Sequence, residues 1–444
     1  MTEGKISKKI ILFALPIFLG NLFQQLYNVV DSLVVGNIVG KEALAAVSST
    51  GSLIFLITGF LGGLFVGASV IISHSYGADD KENLSKAVHT TIACGLVAGL
   101  IITIIGVGLG PTFLKLMKTP DDVYDQASGY IKIFFAGSIF SVMYNACAGI
   151  FQAVGDSKHP LYYLITATIT NIVLDTLFVA KFGLGVKGVA IATVISQFVS
   201  SILAFTKLIS INENYKIHIT KIRIDFEMLK KLLKLGIPSG IQNSVIALAN
   251  VIVQSNINSF GSVAMAGSGS YSKLEGFSFL PITSFSIALT TFIGQNLGAK
   301  KYDRVKKGAR FGVITGVTLS EIIGITIWIF APYLIRLFNS DPEVIKYGVT
   351  QARTISLFYF LLATSHCLAG ILRGAGKTKI PMMVMLISWC LIRISYITIM
   401  VKLIPNIRVV YWAYPLTWCI SSIIFLIYNK KSNWLKAYEN ASQI

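Results

Sequence analysis

The sequence predicts an all-α membrane protein of twelve transmembrane helices, arranged as two six-helix lobes related by a pseudo-two-fold axis. Three observations predict it. Apolar residues make up 54% of the 444-residue chain and charged residues only 13%, against roughly 25% in soluble domains. Apolar runs of about 18 residues or more recur along the whole length, each enough for a helix across a hydrocarbon core of about 30 Å. The third observation is a duplication: the same unit is written twice, 221 residues apart. Gly40, Ala43 and Ala45 recur as Gly261, Ala264 and Ala266; Pro111 recurs as Pro332, and Gly155, Lys158 and Pro160 as Gly376, Lys379 and Pro381. The offset holds without a gap from Gly40 to Pro160, and before it a one-residue slip pairs Pro16 with Pro238.

Span 1, at 10–34, is apolar yet carries Asn21, Gln24, Gln25, Asn28 and Asp31. It is too long for a cleaved signal peptide and has no small-residue cleavage site. Spans 2 and 3 are expected at 47–75 and 87–109, without Asp, Glu, Lys or Arg. Span 4 is expected at 128–151, span 5 at 160–181 with Asn171 and Asp175, and span 6 at 187–209 with Thr193 and Gln197. The longest polar stretch, 210–229, then links the halves. Span 7, at 230–258, is studded with Gln242, Asn243, Asn250 and Gln254, and span 8, at 268–297, opens with Lys273 and Glu275. Glu321 falls in the middle of span 9, at 308–331, with no evident partner. Spans 10 to 12 follow at 347–371, 381–402 and 410–429. The organisation expected is therefore a lobe at 1–209, a cytoplasmic linker at 210–229, a lobe at 230–429 and a cytoplasmic tail at 430–444.

The net charge of +18 is placed as a membrane protein places it. With the N-terminus cytoplasmic, 25 of the 38 Lys and Arg fall in cytoplasmic segments, 9 in outer loops and 4 within spans. This positive-inside bias sets the expected orientation, a multi-pass inner-membrane protein with both termini cytoplasmic. The run of Lys300, Lys301, Arg304, Lys306, Lys307 and Arg310 reads as a contact with anionic lipid, not nucleic acid. The five cysteines, Cys94, Cys147, Cys367, Cys390 and Cys419, all lie in spans at spacings that suit no metal, so they read as small apolar residues. No cofactor is expected, and the chain is expected to act as a monomer.

Each half holds an even number of spans, so both enter from the same side. A parallel repeat of this kind leaves a cleft between lobes near mid-membrane and suits alternating access by rocking. The halves differ in their charges. A charged side chain at mid-membrane costs about 2.5–3.5 kcal/mol on insertion scales, so each needs a reason. Gln24, Asn28 and Asp31 share one face of span 1, Asn171 and Asp175 one face of span 5, and Thr193 and Gln197 one face of span 6. The second half has no equivalent acids: Tyr396 stands opposite Asp175, and Val253 opposite Asp31.

Two carboxylates close together in a low-dielectric site cannot both stay ionised cheaply, which makes a proton switch. The same oxygens, with an Asn carbonyl and a Thr hydroxyl, could instead hold Na⁺. Paired buried carboxylates alone suffice for protons, while a hard cation wants a fuller shell of oxygens, so proton coupling is the expectation. The alternative for each acid is a structural pairing with an intramembrane base such as Lys132 or Arg393. Asn243, Asn250 and Gln254 fit one face of span 7, as a polar stripe lining a cavity or as inter-helix hydrogen bonds. Glu275 reads as a substrate-cation contact or a structural residue. Lys132 and Arg353 suit snorkelling to headgroups, and His74 and His366 suit structural roles. Gly374-Ala375-Gly376-Lys377-Thr378 imitates the end of a phosphate-binding loop, but the pattern needs Gly where Ile371 stands.

Three groups of residues carry a resemblance that covers essentially the whole chain: Leu15-Pro16 followed by Asn28-Val29-Val30-Asp31-Ser32, Asn171-Ile172-Val173-Leu174-Asp175 with Thr193 beyond, and Gly-Ala after spans 2 and 8. They resemble the multidrug and toxic compound extrusion (MATE) family. The resemblance implies a two-lobed fold and cation-coupled export of amphipathic, often cationic, small molecules. It implies an ion site of Asp31, Asn171, Asp175 and Thr193, and a bend of span 1 about Pro16. Span 7 here has only amides and span 10 no acid, unlike the NorM-like branch, which puts the coupling in the first lobe, as in the DinF-like branch. A lipid-linked oligosaccharide flippase of the same broad superfamily is the competing transporter, but its clefts tend to be basic. An intramembrane enzyme would need a nucleophile–base or metal set, and the sequence offers neither.

Overall fold

A computed structural model describes residues 1–117, 119–432 and 435. The first half of the chain forms α1 (Ile6–Val34), α2 (Lys41–Gly77), α3 (Lys81–Leu116), α4 (Asp121–Ala136), α5 (Ser138–Val154), α6 (Lys158–Asp175) and α7 (Gly185–Ser210). The second forms α8 (Phe226–Asn258), α9 (Ser262–Gly298), α10 (Tyr302–Arg336), α11 (Pro342–Ile355), α12 (Tyr359–Gly374), α13 (Lys379–Met385), α14 (Arg393–Leu403) and α15 (Ile407–Lys431). Wider π-helical turns extend α1 and α6 and join α13 to α14. No strand occurs among the described residues. Most of the tail predicted at 430–444 lies outside them.

Eleven helical stretches among the described residues are long and apolar enough to cross a membrane, and α4 with α5 makes a twelfth if the pair is taken as one span. That pair is bent by 47°. The unbroken span expected at 128–151 is therefore corrected to two helices meeting at Gly137. A Cβ on Gly137 would stand 2.3 Å from Val194 Cγ1, so only glycine lets the bend press against α7.

The duplication read from the sequence is present in the backbone. α2 and α9 start and stop at positions 221 apart, as do the starts of α3 and α10, α4 and α11, α5 and α12, and α6 and α13. Positive φ recurs at the same offset: Gly40 and Gly261 at 122° and 100°, Asp79 and Lys300 at 54° and 55°, Gly155 and Gly376 at 94° and 67°. One hydrogen bond recurs too. Ser69 Oγ donates to Gly149 O at 3.1 Å, and Thr290 Oγ1 donates to Gly370 O at 3.0 Å.

The chain divides into two compact units, residues 19–240 and residues 1–18 with 241–444. The divisions fall inside α1 and α8, just past Pro16 and Pro238, and not in the 210–229 linker. In the first unit, the start of α8 is held against α2 by glycine. Cβ atoms on Gly63 and Gly67 would lie 2.3 Å from Gly240 N and 2.4 Å from Gly236 N. Glycines four apart on both helices let the backbones touch, the small-residue packing that membrane helices use where lipid offers no hydrophobic drive. The linker is docked as well: Tyr215 and Ile217 are buried in a core with Leu84, Val88 and Leu208. In the second unit, Ile10, Phe13, Ala14 and Ile17 of α1 join the core formed by α9 to α15. Glu321, unpartnered in the sequence reading, accepts the Phe360 N–H at 3.0 Å. The chain breaks between α11 and α12 at 356–358, and the carboxylate satisfies an amide that the new helix start would leave unpaired in lipid.

Candidate functional site

The acids predicted to act together do meet, inside the first unit. Asp31 hangs from the last turns of α1, Asn171 and Asp175 from the end of α6, and Thr193 from α7. Asn171, Asp175 and Thr193 are 1%, 0% and 3% exposed, and Asp31 is half-buried. The carboxyl groups of Asp31 and Asp175 lie within hydrogen-bonding reach of each other. Two carboxylates that close in a buried site repel each other when both are ionised.

The Asn171 amide joins the pair. One of its terminal atoms lies 3.1 Å from Asp31 Oδ1 and 3.0 Å from Asp175 Oδ2. As nitrogen, that atom donates to both carboxylates. As oxygen, it accepts from a carboxyl proton or contacts a cation. A half-turn of one amide thus fits either state of the acids, and which atom stands there follows from the network. Asp175 Oδ1 is buried with no hydrogen-bond partner among the described residues.

Two members escaped the sequence reading. Tyr27 OH shares a hydrogen bond with Thr193 Oγ1 at 3.1 Å and lies within reach of Asp31. Tyr130, from α4, is close enough to feel the charge of both acids. Tyr27 was findable, since it stands one helical turn before Asp31, at i and i+4. Nothing in the chain's spacing points to Tyr130, which reaches the site only because α4 packs against α7 and α2.

The remaining candidates lie on α1, α7, α8 and α9. Gln24 and Asn28 are exposed along α1, and Gln197 is half-buried on α7. In the second unit, Asn250 is exposed and Asn243 and Gln254 are half-buried on α8. Gln254 Nε2 donates to Asn258 Oδ1 at 2.8 Å along its own helix. Gln242 is instead buried, its amide against Met385 Sδ at 2.8 Å. Arg393 is 2% exposed and pairs with no acid within hydrogen-bond distance among the described residues. Its Nε and Nη2 donate to Thr417 Oγ1 at 3.1 and 2.8 Å, and its plane stacks over Tyr414 at 4.6 Å. Tyr414 is the repeat mate of Thr193. Where the first unit gathers acids, the second holds a permanent cation, with Glu275 near enough to feel its charge and to reach Tyr271.

The chain matches the family model described as MatE over residues 16–177 and 238–399, the two halves of the repeat. It is 30% identical over 397 residues to the probable multidrug resistance protein YpnP of Bacillus subtilis, over 89% of this chain and 88% of that one. It is 28% identical over 404 residues to the probable multidrug resistance protein NorM of Thermotoga maritima, over 90% and 86% of the two chains. Its fold is similar to a solved outward-facing conformation of a multidrug resistance MATE family transporter of the MOP superfamily. The TM-score is 0.92 at 23% identity, over 98% of this chain and 97% of that one.

Proposed function

The chain belongs to the MATE family of membrane transporters, and on that premise we propose that it is a proton-coupled antiporter exporting amphipathic, cationic small molecules by alternating access. The observation that carries the reading is the Asp31–Asn171–Asp175 cluster, two acids on different helices with one amide between them. Its relatives are named as multidrug resistance proteins, which supports the substrate class. The acids favour a cation over the pyrophosphate that a flippase must hold.

The mechanism follows from which helix carries which acid. With a proton on the pair, Asp31 and Asp175 attract each other, and the end of α1 is drawn to α6. When the proton leaves, two like charges face each other in a poor dielectric and push α1 away. Pro16 gives α1 a place to bend, because its nitrogen cannot donate to the carbonyl one turn earlier. Residues 6–18 and 19–34 of α1 belong to different compact units. The polar side chains proposed for the substrate are Gln24, Asn28 and Gln197 in the first unit and Asn243, Asn250, Gln254 and Glu275 in the second.

Efflux from proteoliposomes under an imposed pH gradient without sodium tests the coupling. Proton coupling gives drug efflux there. Efflux that needs Na⁺ and ignores the pH gradient overturns it, and makes Asn171 and Thr193 oxygen ligands to the ion. Both termini are proposed to be cytoplasmic. A single cysteine after Lys300, in a Cys-free background, then resists an impermeant thiol reagent added to intact cells; ready labelling inverts the orientation.

A further inference from the structure

We propose that the linker between α7 and α8 is a binding site for the phosphodiester headgroup of an anionic lipid, in the leaflet on the side of the N-terminus. The choice of the inner leaflet rests on the orientation proposed above. A pocket of about 430 Å³ opens between the start of α3 and the linker. Its floor is His89 and Thr90, buried at 3% and 0% exposure. The linker is tied to that floor. His218 N–H donates to His89 Nε2 at 3.0 Å, and Asp225 N–H to Thr90 Oγ1 at 3.3 Å. Ile217 N–H closes the loop on Leu208 O at 2.9 Å. The wall is therefore built, not a loose strand of chain.

The charged side chains lining this pocket, Lys86, Lys221 and Arg223 against Glu82 and Asp225, leave one net positive charge. Of its acids, Glu82 is taken by Lys86 at 2.7 Å, and Asp225 Oδ1 accepts the Met228 N–H at 2.9 Å at the start of α8. Lys221 and Arg223 are exposed, line the pocket and have no acidic partner among the described residues. Thr220 and Ser85 add hydroxyls beside them. Two cations with hydroxyl donors suit a phosphate oxygen group, for which guanidinium offers a planar fork.

A lipid is indicated over free phosphate by what brackets those cations. Ile219 is 64% exposed and Phe226 80% exposed. Large apolar side chains alternating with Lys and Arg at the polar end of a span match an interfacial segment, with rings and branched chains among acyl tails and cations at headgroup level.

The test titrates the full-length protein in mild detergent with phosphatidylglycerol, phosphatidylcholine and inorganic phosphate, reading bound lipid by native mass spectrometry. Wild type and Lys216→Gln, a linker cation outside the pocket, retain one tightly held phosphatidylglycerol. Lys221→Gln/Arg223→Gln weakens it about 30-fold, the worth of two interfacial basic side chains at about 1 kcal/mol each. Phe226→Ser weakens it about tenfold, and excess inorganic phosphate does not displace it. Undiminished binding by the double variant overturns the proposal, as does an equal loss in Lys216→Gln. Displacement by inorganic phosphate, or equal retention of phosphatidylcholine, overturns the lipid assignment. None of these readouts depends on transport, so the result stands apart from the drug-export reading.

Discussion

Tyr27 and Thr193 are joined hydroxyl to hydroxyl across 3.1 Å, closing the rim of the acid pair from α1 to α7. Each of Tyr27→Phe and Thr193→Val is expected to slow coupled efflux about 3–10-fold, the cost of one hydrogen bond of about 1 kcal/mol. The double variant is expected to be no worse than the more damaging single one, because both remove the same bond. Initial efflux rates in proteoliposomes check this; additive losses would mean that the two hydroxyls act separately.

Asp31→Asn and Asp175→Asn each remove a charge that must appear and disappear in every cycle. Both variants are expected in the membrane at wild-type levels, with export of a fluorescent cation from cells reduced at least tenfold. Near wild-type export at equal expression would remove that acid from the coupling site.

The α2–α8 crossing predicts a contrast between neighbouring glycines. Gly63→Ala and Gly67→Ala drive a methyl into the backbone of Gly240 and Gly236, which cannot yield as a flexible side chain can. A cost of about 1–3 kcal/mol is expected for each, seen as loss of the monodisperse peak in fluorescence size-exclusion chromatography. Gly62→Ala meets nothing within 4 Å and is expected to behave as wild type.

Glu321 is expected to matter for stability and not for transport. Glu321→Ala removes the acceptor for Phe360 N–H, at a cost of about 0.5–2 kcal/mol by analogy with lost helix caps. Glu321→Gln keeps an acceptor and is expected to recover most of it. Thermal midpoints in detergent read the difference, and efflux below the midpoint is expected to be unchanged; a selective loss of efflux in Glu321→Gln would give the carboxylate a role in the cycle.

Much of this was legible before any coordinates. Polar residues in apolar spans are rare enough that Asp31, Asn171, Asp175 and Thr193 stand out, and helical spacing shows which of them share a face. The repeat offset relates the helix starts of the two halves, although the apolar windows at 268–297 and 308–331 fall short of the ends of α9 and α10. Other features were hidden for physical reasons. An apolar window is blind to direction, so it ran straight through Gly137. Tyr130 looks like any apolar ring in a span, and only tertiary packing brings it to the acids. The glycines at 63, 67, 236 and 240 show a spacing of four, but a spacing does not name its partner. Glu321 lacked a partner because an amide of the main chain, invisible in a list of side chains, is what it serves.

The division of the chain inside α1 and α8 has a consequence for how the protein is made. Residues 19–240 form a complete unit as soon as Gly240 is synthesised. Residues 1–18 are made first, yet they pack with residues 241–444. At about 5–20 residues per second, they wait roughly 10–45 s while the intervening chain is produced. The apolar face of Ile10, Phe13 and Ile17 spends that interval without its final neighbours. Residues 1–18 thus precede residues 19–240 in synthesis yet dock after them, and an interruption late in synthesis would leave that segment without its final neighbours.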